Sequence, residues 1–288
     1  MINVVQELNG LKKIIFLDID GTLVNDNGVV PESAKTAVQK ARENGHLVFI
    51  CTGRSRAELY DDILDIGFDG IIGAAGGYIE VEQEVILHET VDPEDIQHLV
   101  DYFNQHSIDF YLESNGGLFA SKHCKKHIRS IIDKVIEANP EVKEEAEKGI
   151  LPFHDALIEG ESLLRDDINK ISFLGSDIPI EKISEEFGAK FNVIPSTVPI
   201  FGENSGELSV PGIHKATAIV KLLEHLNMDR KNTFAYGDGM NDLEMIQYVQ
   251  HGIAMGNAKE ALKLAADDIT DTPDGNGIFN SFRKYELI

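Results

Sequence analysis

The strongest constraint on this chain is a recurring pattern: a short, dense apolar run that stops at a group of small and acidic residues. Lys13-Ile14-Ile15-Phe16-Leu17 stops at Asp18-Ile19-Asp20-Gly21-Thr22. Leu47-Val48-Phe49-Ile50-Cys51 stops at Thr52-Gly53-Arg54. Thr233-Phe234-Ala235-Tyr236 stops at Gly237-Asp238-Gly239-Met240-Asn241-Asp242. Runs this short and this rich in β-branched and aromatic side chains predict strands. Continuous apolar runs with polar exits are the mark of parallel strands covered on both faces. Phe68–Ile72 and Gly252–Met255 read as further strands. Helical spacing lies between them. Pro31 opens one helix, with Ala34, Ala37, Val38 and Ala41 on its stripe and Gly45 at its end. Residues 55–64 predict a second helix, and residues 214–226 and 243–249 two more. The alternation predicts an α/β fold: a Rossmann-like, mostly parallel sheet with helices on both faces.

The rhythm changes near residue 80. Residues 78–81 and 84–87 flank a polar turn and predict a hairpin. Asp92 is placed to cap a helix whose first residue is Pro93. Ile96, Leu99, Val100 and Phe103 form its apolar stripe. Strands over 108–112, 170–174 and 190–194, a helix over 180–187 and a charged helical stretch over 128–148, interrupted at Pro140, predict a smaller α+β sheet with helices on one face. The parallel rhythm returns after Gly206. The expectation is therefore a discontinuous core of residues 1–83 and 206–288, interrupted by an inserted cap of residues 84–205. Loops above a sheet tolerate such insertions, and 288 residues suffice for both bodies.

Composition narrows the partners. The formal net charge of -23 is wrong for DNA or RNA, whose phosphates need clustered Lys and Arg. No stretch approaches the roughly 20 apolar residues of a membrane helix. Met1 to Glu7 offers no basic stretch before a long apolar run, so a leader peptide is not expected there. With only Cys51 and Cys124, a reducing, cytoplasmic setting is expected. Cys51 follows an apolar run and reads as a core thiol. Cys124, with His123 and His127, lacks a fourth zinc ligand in the sequence and reads as part of a polar surface.

The strand exits carry the chemistry. Asp18 and Asp20 share one face of an extended strand, and at its exit Asp18 can meet a reacting atom with Asp20 above it. Two such carboxylates repel, a conflict relieved by a bound cation or a shared proton. Asp238 is placed to ligate a hard cation such as Mg²⁺. Asp242 can ligate through water or fix Asp238. Asn241 can orient a substrate oxygen or the acidic loop. Strand exits are where ligands bind in open α/β sheets. Thr52 and the Gly53 amide can donate to phosphate oxygens, with Arg54 beside them as a substrate contact or a loop support. Lys215 can neutralise a phosphate and the nucleophile.

Asp18-Ile19-Asp20-Gly21-Thr22-Leu23, Thr52-Gly53-Arg54, Lys215 and Gly237-Asp238-Gly239-Met240-Asn241-Asp242 occur in this order across nearly the whole chain. In that order they resemble the haloacid dehalogenase-like phosphatases, of the Cof type with a large α/β cap. The resemblance implies a Mg²⁺-dependent phosphomonoesterase acting on a small phosphorylated metabolite. Asp18 would form an aspartyl-phosphate. Asp20 would protonate the leaving alcohol and then activate water. Asp18, the Asp20 carbonyl and Asp238 would hold Mg²⁺, with Asp242 assisting. Thr52, Gly53 and Lys215 would bind the phosphoryl group, and the cap would read the leaving group. The sequence departs from the family pattern at Ala75-Gly76, where Asn-Gly is usual, and at Ala216, where glycine usually follows the lysine. The competing functions are a phosphomutase or other phosphotransferase, and a non-catalytic Mg²⁺-dependent binding or signalling module.

Overall fold

The computed structural model describes residues 12–196 and 198–288; Met1–Glu7, discussed above for a leader, lie outside them. The chain divides into two compact units. The first comprises Met1–Arg54, Leu59–His88 and His214–Ile288, and the second Ser55–Glu58 and Glu89–Ile213.

The first unit opens with β1 (Ile14–Leu17), α1 (Glu32–Glu43), β2 (Leu47–Cys51), α2 (Asp61–Leu64), β3 (Gly70–Gly73), β4 (Tyr78–Val81) and β5 (Glu84–His88). The second contains α3 (Pro93–Gln105), β6 (Phe110–Ser114), β7 (Gly117–Ala120), α4 (Cys124–Ala138), α5 (Lys143–Ala156), β8 (Leu157–Ile158), β9 (Ile168–Phe173), α6 (Ile180–Phe187), β10 (Asn192–Pro195) and β11 (Gly206–Ser209). The first unit then resumes with α7 (Lys215–Leu226), β12 (Thr233–Gly237), α8 (Leu243–Tyr248), β13 (His251–Ala254), α9 (Glu260–Ala265), β14 (Asp268–Ile269) and α10 (Gly277–Lys284).

The first unit's sheet runs β14-β13-β12-β1-β2-β3-β4-β5. It is parallel from β14 to β3 and ends in the antiparallel β3-β4-β5 edge. Alternation along the central strand sorts its residues between two cores. Ile15 and Leu17 pack with Ala37, Val38 and Ala41 of α1 and Phe282 of α10. Ile14 and Phe16 face Ile219 and Leu222 of α7, Met245 of α8 and Leu262 of α9. All four strand residues are fully buried, and burial of each such side chain contributes roughly 1.5–3 kcal/mol. This two-sided covering is why the strand has no polar alternation and why its first polar residues fall at its end.

The second unit is a six-stranded sheet, β10-β11-β9-β6-β7-β8, antiparallel except for β7 with β8. Helix α3 begins as its sequence predicts: the Asp92 carboxylate accepts from the Glu94 N–H at 2.8 Å, with Pro93 next to the cap. α3 and α6 bury Phe103 and Phe187 against Phe110 and Phe173. The expected single face of helices is corrected: α4 and α5 cover part of the opposite face, where Ile128 and Phe153 join Tyr111 and Leu118. That second face also carries polar groups. Glu113, 1% exposed, accepts from the Ser172 hydroxyl at 2.6 Å, and Lys170 bridges it to Glu207.

Three local expectations also differ from the structure. Residues 55–64 are not one helix: a 3-10 turn at Arg56–Glu58 is separated from α2 by extended backbone at Tyr60. The charged stretch over 128–148 is two helices, α4 and α5, with a 3-10 turn at Pro140–Val142 between them. The chain passes between the units at His88/Glu89 and Ile213/His214, where 83/84 and 205/206 were expected, and Ser55–Glu58 adds a short excursion that the expectation lacked. β5 pairs with β4 in the first sheet, and Gly206–Ser209 pairs with β9 and β10 in the second. Among the described residues no helix is long and apolar enough to cross a membrane.

Candidate active site

Strands β2, β1 and β12 lie side by side and parallel, with Leu17 in register with both Ile50 and Tyr236. Their exits therefore open together, and residues far apart in sequence meet. The Asp18 N–H donates to the Tyr236 carbonyl at 3.1 Å, fixing the first residue beyond β1. The chain then turns tightly at Gly21, whose φ is +77°. A Cβ there would stand 2.4 Å from the Asp238 carboxylate, so only glycine lets the two acidic loops approach this closely. The Thr22 hydroxyl, fully buried, lies 3.5 Å from Asp238 Oδ1.

Lys215, at the start of α7, reaches into the group. Its ammonium lies 2.5 Å from Asp18 Oδ1 and 2.5 Å from Asp242 Oδ1, and all three side chains are nearly or fully buried. Asp242 uses its other oxygen, Oδ2, to accept from the Asp238 and Gly239 N–H groups, each at 3.0 Å. The structure thus has Asp242 fixing the Asp238 loop. Oxygens of Asp18, Asp238 and Asp242 converge within 4.8 Å of one another. Burial, with the Asp242 charge added, pushes the Asp18 carboxyl up to about 8 against the pull of Lys215. Burial and Asp242 likewise push Asp238 up to about 6. Burial works against the Lys215 ammonium, but Asp18 and Asp242 outweigh it and raise its pKa above the usual lysine range. Three converging hard oxygens, two of them strained toward protonation, are a donor set that fits a divalent cation.

Thr52, 1% exposed, stands at the exit of β2. Its carbonyl accepts from the Ala75 N–H at 3.1 Å, and its hydroxyl accepts from the Arg54 N–H at 3.2 Å. Ala74 and Ala75 both have left-handed backbone, with φ of 50° and 54°. Asp20 is set apart from the other carboxylates, its side chain 64% exposed and paired with Arg54. Asn241 is exposed, its amide nitrogen 4.0 Å from where a Gly53 Cβ would stand. Asn257 joins the site although it stands in none of the motifs. Its amide donates to the Gly21 carbonyl at 2.8 Å and so ties the acidic turn to the loop after β13. The signal for it was Gly256-Asn257 just beyond a strand end, which by itself reads as an ordinary turn.

The histidine-cysteine stretch of the second unit is not a polar surface throughout. Cys124 is fully buried in an apolar cluster, and burial pushes its thiol well above the usual range. His127 turns instead to Asp109, at 2.9 Å. Among the described residues the only group of metal-ligating side chains is Asp18, Asp238 and Asp242. Cys51 is a core thiol, as its place in β2 predicts.

The fold is an open α/β sheet with its ligand site at the strand ends, where three carboxylates meet Lys215 from the start of α7, and comparison gives its family. Residues 15–282 match the haloacid dehalogenase-like hydrolases, and the chain belongs to that family of enzymes. The Bacillus subtilis 5-amino-6-(5-phospho-D-ribitylamino)uracil phosphatase YcsE is 28% identical over 96% of each chain. Phosphatase YwpJ of the same organism is 26% identical, covering 92% of this chain and 97% of its own. A crystal structure of a hypothetical protein from Geobacillus kaustophilus superposes with a TM-score of 0.80 at 25% identity, over 96% of this chain and all of that one.

Proposed function

We propose that this chain is a Mg²⁺-dependent phosphomonoesterase that hydrolyses a small phosphorylated metabolite through an aspartyl-phosphate on Asp18. The observation that carries the reading is the Asp18 carboxylate itself: buried, aimed by Lys215, and part of the oxygen cluster with Asp238 and Asp242. Asp18, the Asp20 carbonyl and Asp238 would hold Mg²⁺, with Asp242 bracing them; when bound, the cation neutralises charge on the phosphoryl oxygens and keeps Asp18 ionised. Asp18 attacks phosphorus as the bond to the leaving oxygen breaks, and Asp20 gives that oxygen its proton. Asp20 then takes a proton from water, whose oxygen bonds to phosphorus as the bond to Asp18 breaks. Thr52, the Gly53 amide and Lys215 hold the phosphoryl oxygens throughout, and Asn241 supports substrate or loop placement. The second unit serves as the cap that selects the leaving group. The phosphatase names of YcsE and YwpJ support the reaction class, and sugar or cofactor phosphates are the substrates it suggests.

The test is acid-quenched mass spectrometry during turnover. The added phosphoryl mass should map to the peptide carrying Asp18 and be absent from Asp18→Asn. Chelation should abolish turnover and Mg²⁺ restore it. A phosphoryl group on another residue, or full activity in demetallated protein, contradicts the proposal. Transfer of the phosphoryl group to an added alcohol in preference to water would favour the phosphotransferase alternative.

A further inference from the structure

The acidic residues of this site divide into two groups. Asp18, Asp238 and Asp242 converge, whereas the Asp20 carboxylate lies outside that group and is 64% exposed. An exposed carboxylate on a short side chain ordinarily samples several rotamers, a poor state for a group that must meet a leaving oxygen and later a water. Asp20 is instead gripped at two points by Arg54. Nη2 donates to Oδ1 at 2.6 Å and Nε donates to Oδ2 at 2.9 Å. This side-on fork is planar and sets direction as well as distance, which a lysine in the same place would not do.

Arg54 is itself held by the phosphate-side turn. Its N–H donates to the Thr52 hydroxyl at 3.2 Å, and its carbonyl accepts from the Ala74 N–H at 2.8 Å. The backbone that presents Thr52 therefore also carries the guanidinium that orients Asp20. Each Asp20 oxygen has a second lone-pair direction beyond the one used by Arg54, which leaves it able to exchange a proton while still gripped.

We propose that Arg54 is the positioning residue for Asp20: the two-point fork holds that carboxylate in the orientation needed for proton transfer. The inference rests on the reading of Asp20 as the acid and base. The experiment is a double-mutant cycle of Arg54→Ala and Asp20→Asn on the full-length, Mg²⁺-loaded protein. Two esters are compared, an alkyl phosphate and 4-nitrophenyl phosphate. Arg54→Ala should lower kcat on the alkyl ester by about tenfold to a hundredfold, a share of the ~10²–10⁴ that acid–base catalysis contributes. KM should stay within about twofold, the scatter expected of uncoupled sites. With the nitrophenyl ester, whose leaving group needs no proton, the phosphorylation burst should persist and only the following hydrolysis should slow. In the Asp20→Asn background, Arg54→Ala should change kcat by less than about twofold. Arg54→Lys should recover part of the loss, because it restores the charge and one contact but not the fork. Should Arg54→Ala fail to fold, Arg54→Lys and Arg54→Gln carry the same cycle.

A raised KM with kcat retained on both esters would make Arg54 a substrate contact and overturn the proposal. Equal losses in both backgrounds would overturn it too, since Arg54 would then not act through Asp20. If Asp20→Asn alone keeps full turnover on the alkyl ester, the reading of Asp20 fails, and that result is visible without any Arg54 variant.

Discussion

Lys215 holds two buried carboxylates, 2.5 Å from each, and is itself 1% exposed. Removing one partner of a buried ionic group costs ~3–5 kcal/mol, because the remaining charges stay desolvated. Lys215→Met should therefore lower the unfolding free energy of metal-free protein by about that much, read from urea unfolding. A loss under about 1 kcal/mol would mean the lysine neutralises little in the folded state. The carboxylates set a pH dependence of their own. Asp18 at about 8 and Asp238 at about 6 both sit above 3.8, so between these values the folded chain binds more protons than the unfolded one. Their contribution is fully present below 3.8 and is lost as pH rises through 6 and then 8. Asp18→Asn cannot ionise, so metal-free Asp18→Asn should gain in stability relative to wild type as pH rises from 4 to 8. A difference that stays flat with pH would contradict the shift. That Asp18, Asp238 and Lys215 come together was legible, because strand exits and motif order mark them. The Asp20–Arg54 pairing was not, since a separation of 34 residues carries no side-chain direction. Asn257 was not legible for the same reason: its partner is a backbone carbonyl 236 residues away.

The turn after β3 is an element whose backbone and side chains disagree. Left-handed backbone costs an ordinary L-residue roughly 1–2 kcal/mol, and Asn visits it more readily than Ala. Ala75, with φ of 54°, occupies such a position and is held there by its N–H bond to Thr52. Ala75→Asn should stabilise the protein by ~0.5–1 kcal/mol, seen as a higher urea midpoint with unchanged slope. A lower midpoint would show that space, not backbone preference, decides the position. The following Gly76 has no such freedom to change, because a Cβ there would stand 2.5 Å from the His214 carbonyl, next to Lys215. The dense apolar strands and the capped helix α3 were readable from pattern alone. Residues 55–64 were not, because the Ser55 N–H donates to the Glu58 carboxylate at 2.8 Å as at a helix start, yet the turn lasts only to Glu58 and the backbone is extended at Tyr60. Gly117–Ala120 and Leu157–Ile158 were passed over as strands, since runs this short gain their identity only from the neighbours they pair with.

At the scale of the molecule, a charge of -23 meets a substrate class that is itself anionic. Between 10 and 150 mM salt the screening length falls from about 30 Å to about 8 Å. If repulsion by the whole surface limits encounter, kcat/KM for a dianionic ester should rise several-fold over that range while kcat holds steady. A fall instead would show that the local field of Lys215 and Arg54 outweighs the global charge. The two-body organisation was legible as a broken strand–helix rhythm, but the joints were not. The hairpin pattern already ties β5 to β4, but β11 is a short strand and nothing in its residues says which sheet it will join. The joints also set a schedule for the chain as it is made. β1 pairs on one side with β2, close behind it in sequence, and on the other with β12, which begins only at Thr233. Elongation proceeds from the N-terminus at ~5–20 residues per second, so this edge stays open for on the order of ten seconds or more. During that interval a bare row of peptide groups, flanked by Ile14, Ile15, Phe16 and Leu17, is exposed to any strand that reaches it. The residues of the second unit, Ser55–Glu58 and Glu89–Ile213, are all synthesised before β12 emerges. All of the second unit is thus made while the first unit's sheet still lacks a central strand, and the window of vulnerability to aggregation and to chaperone capture closes only when β12 seats against β1.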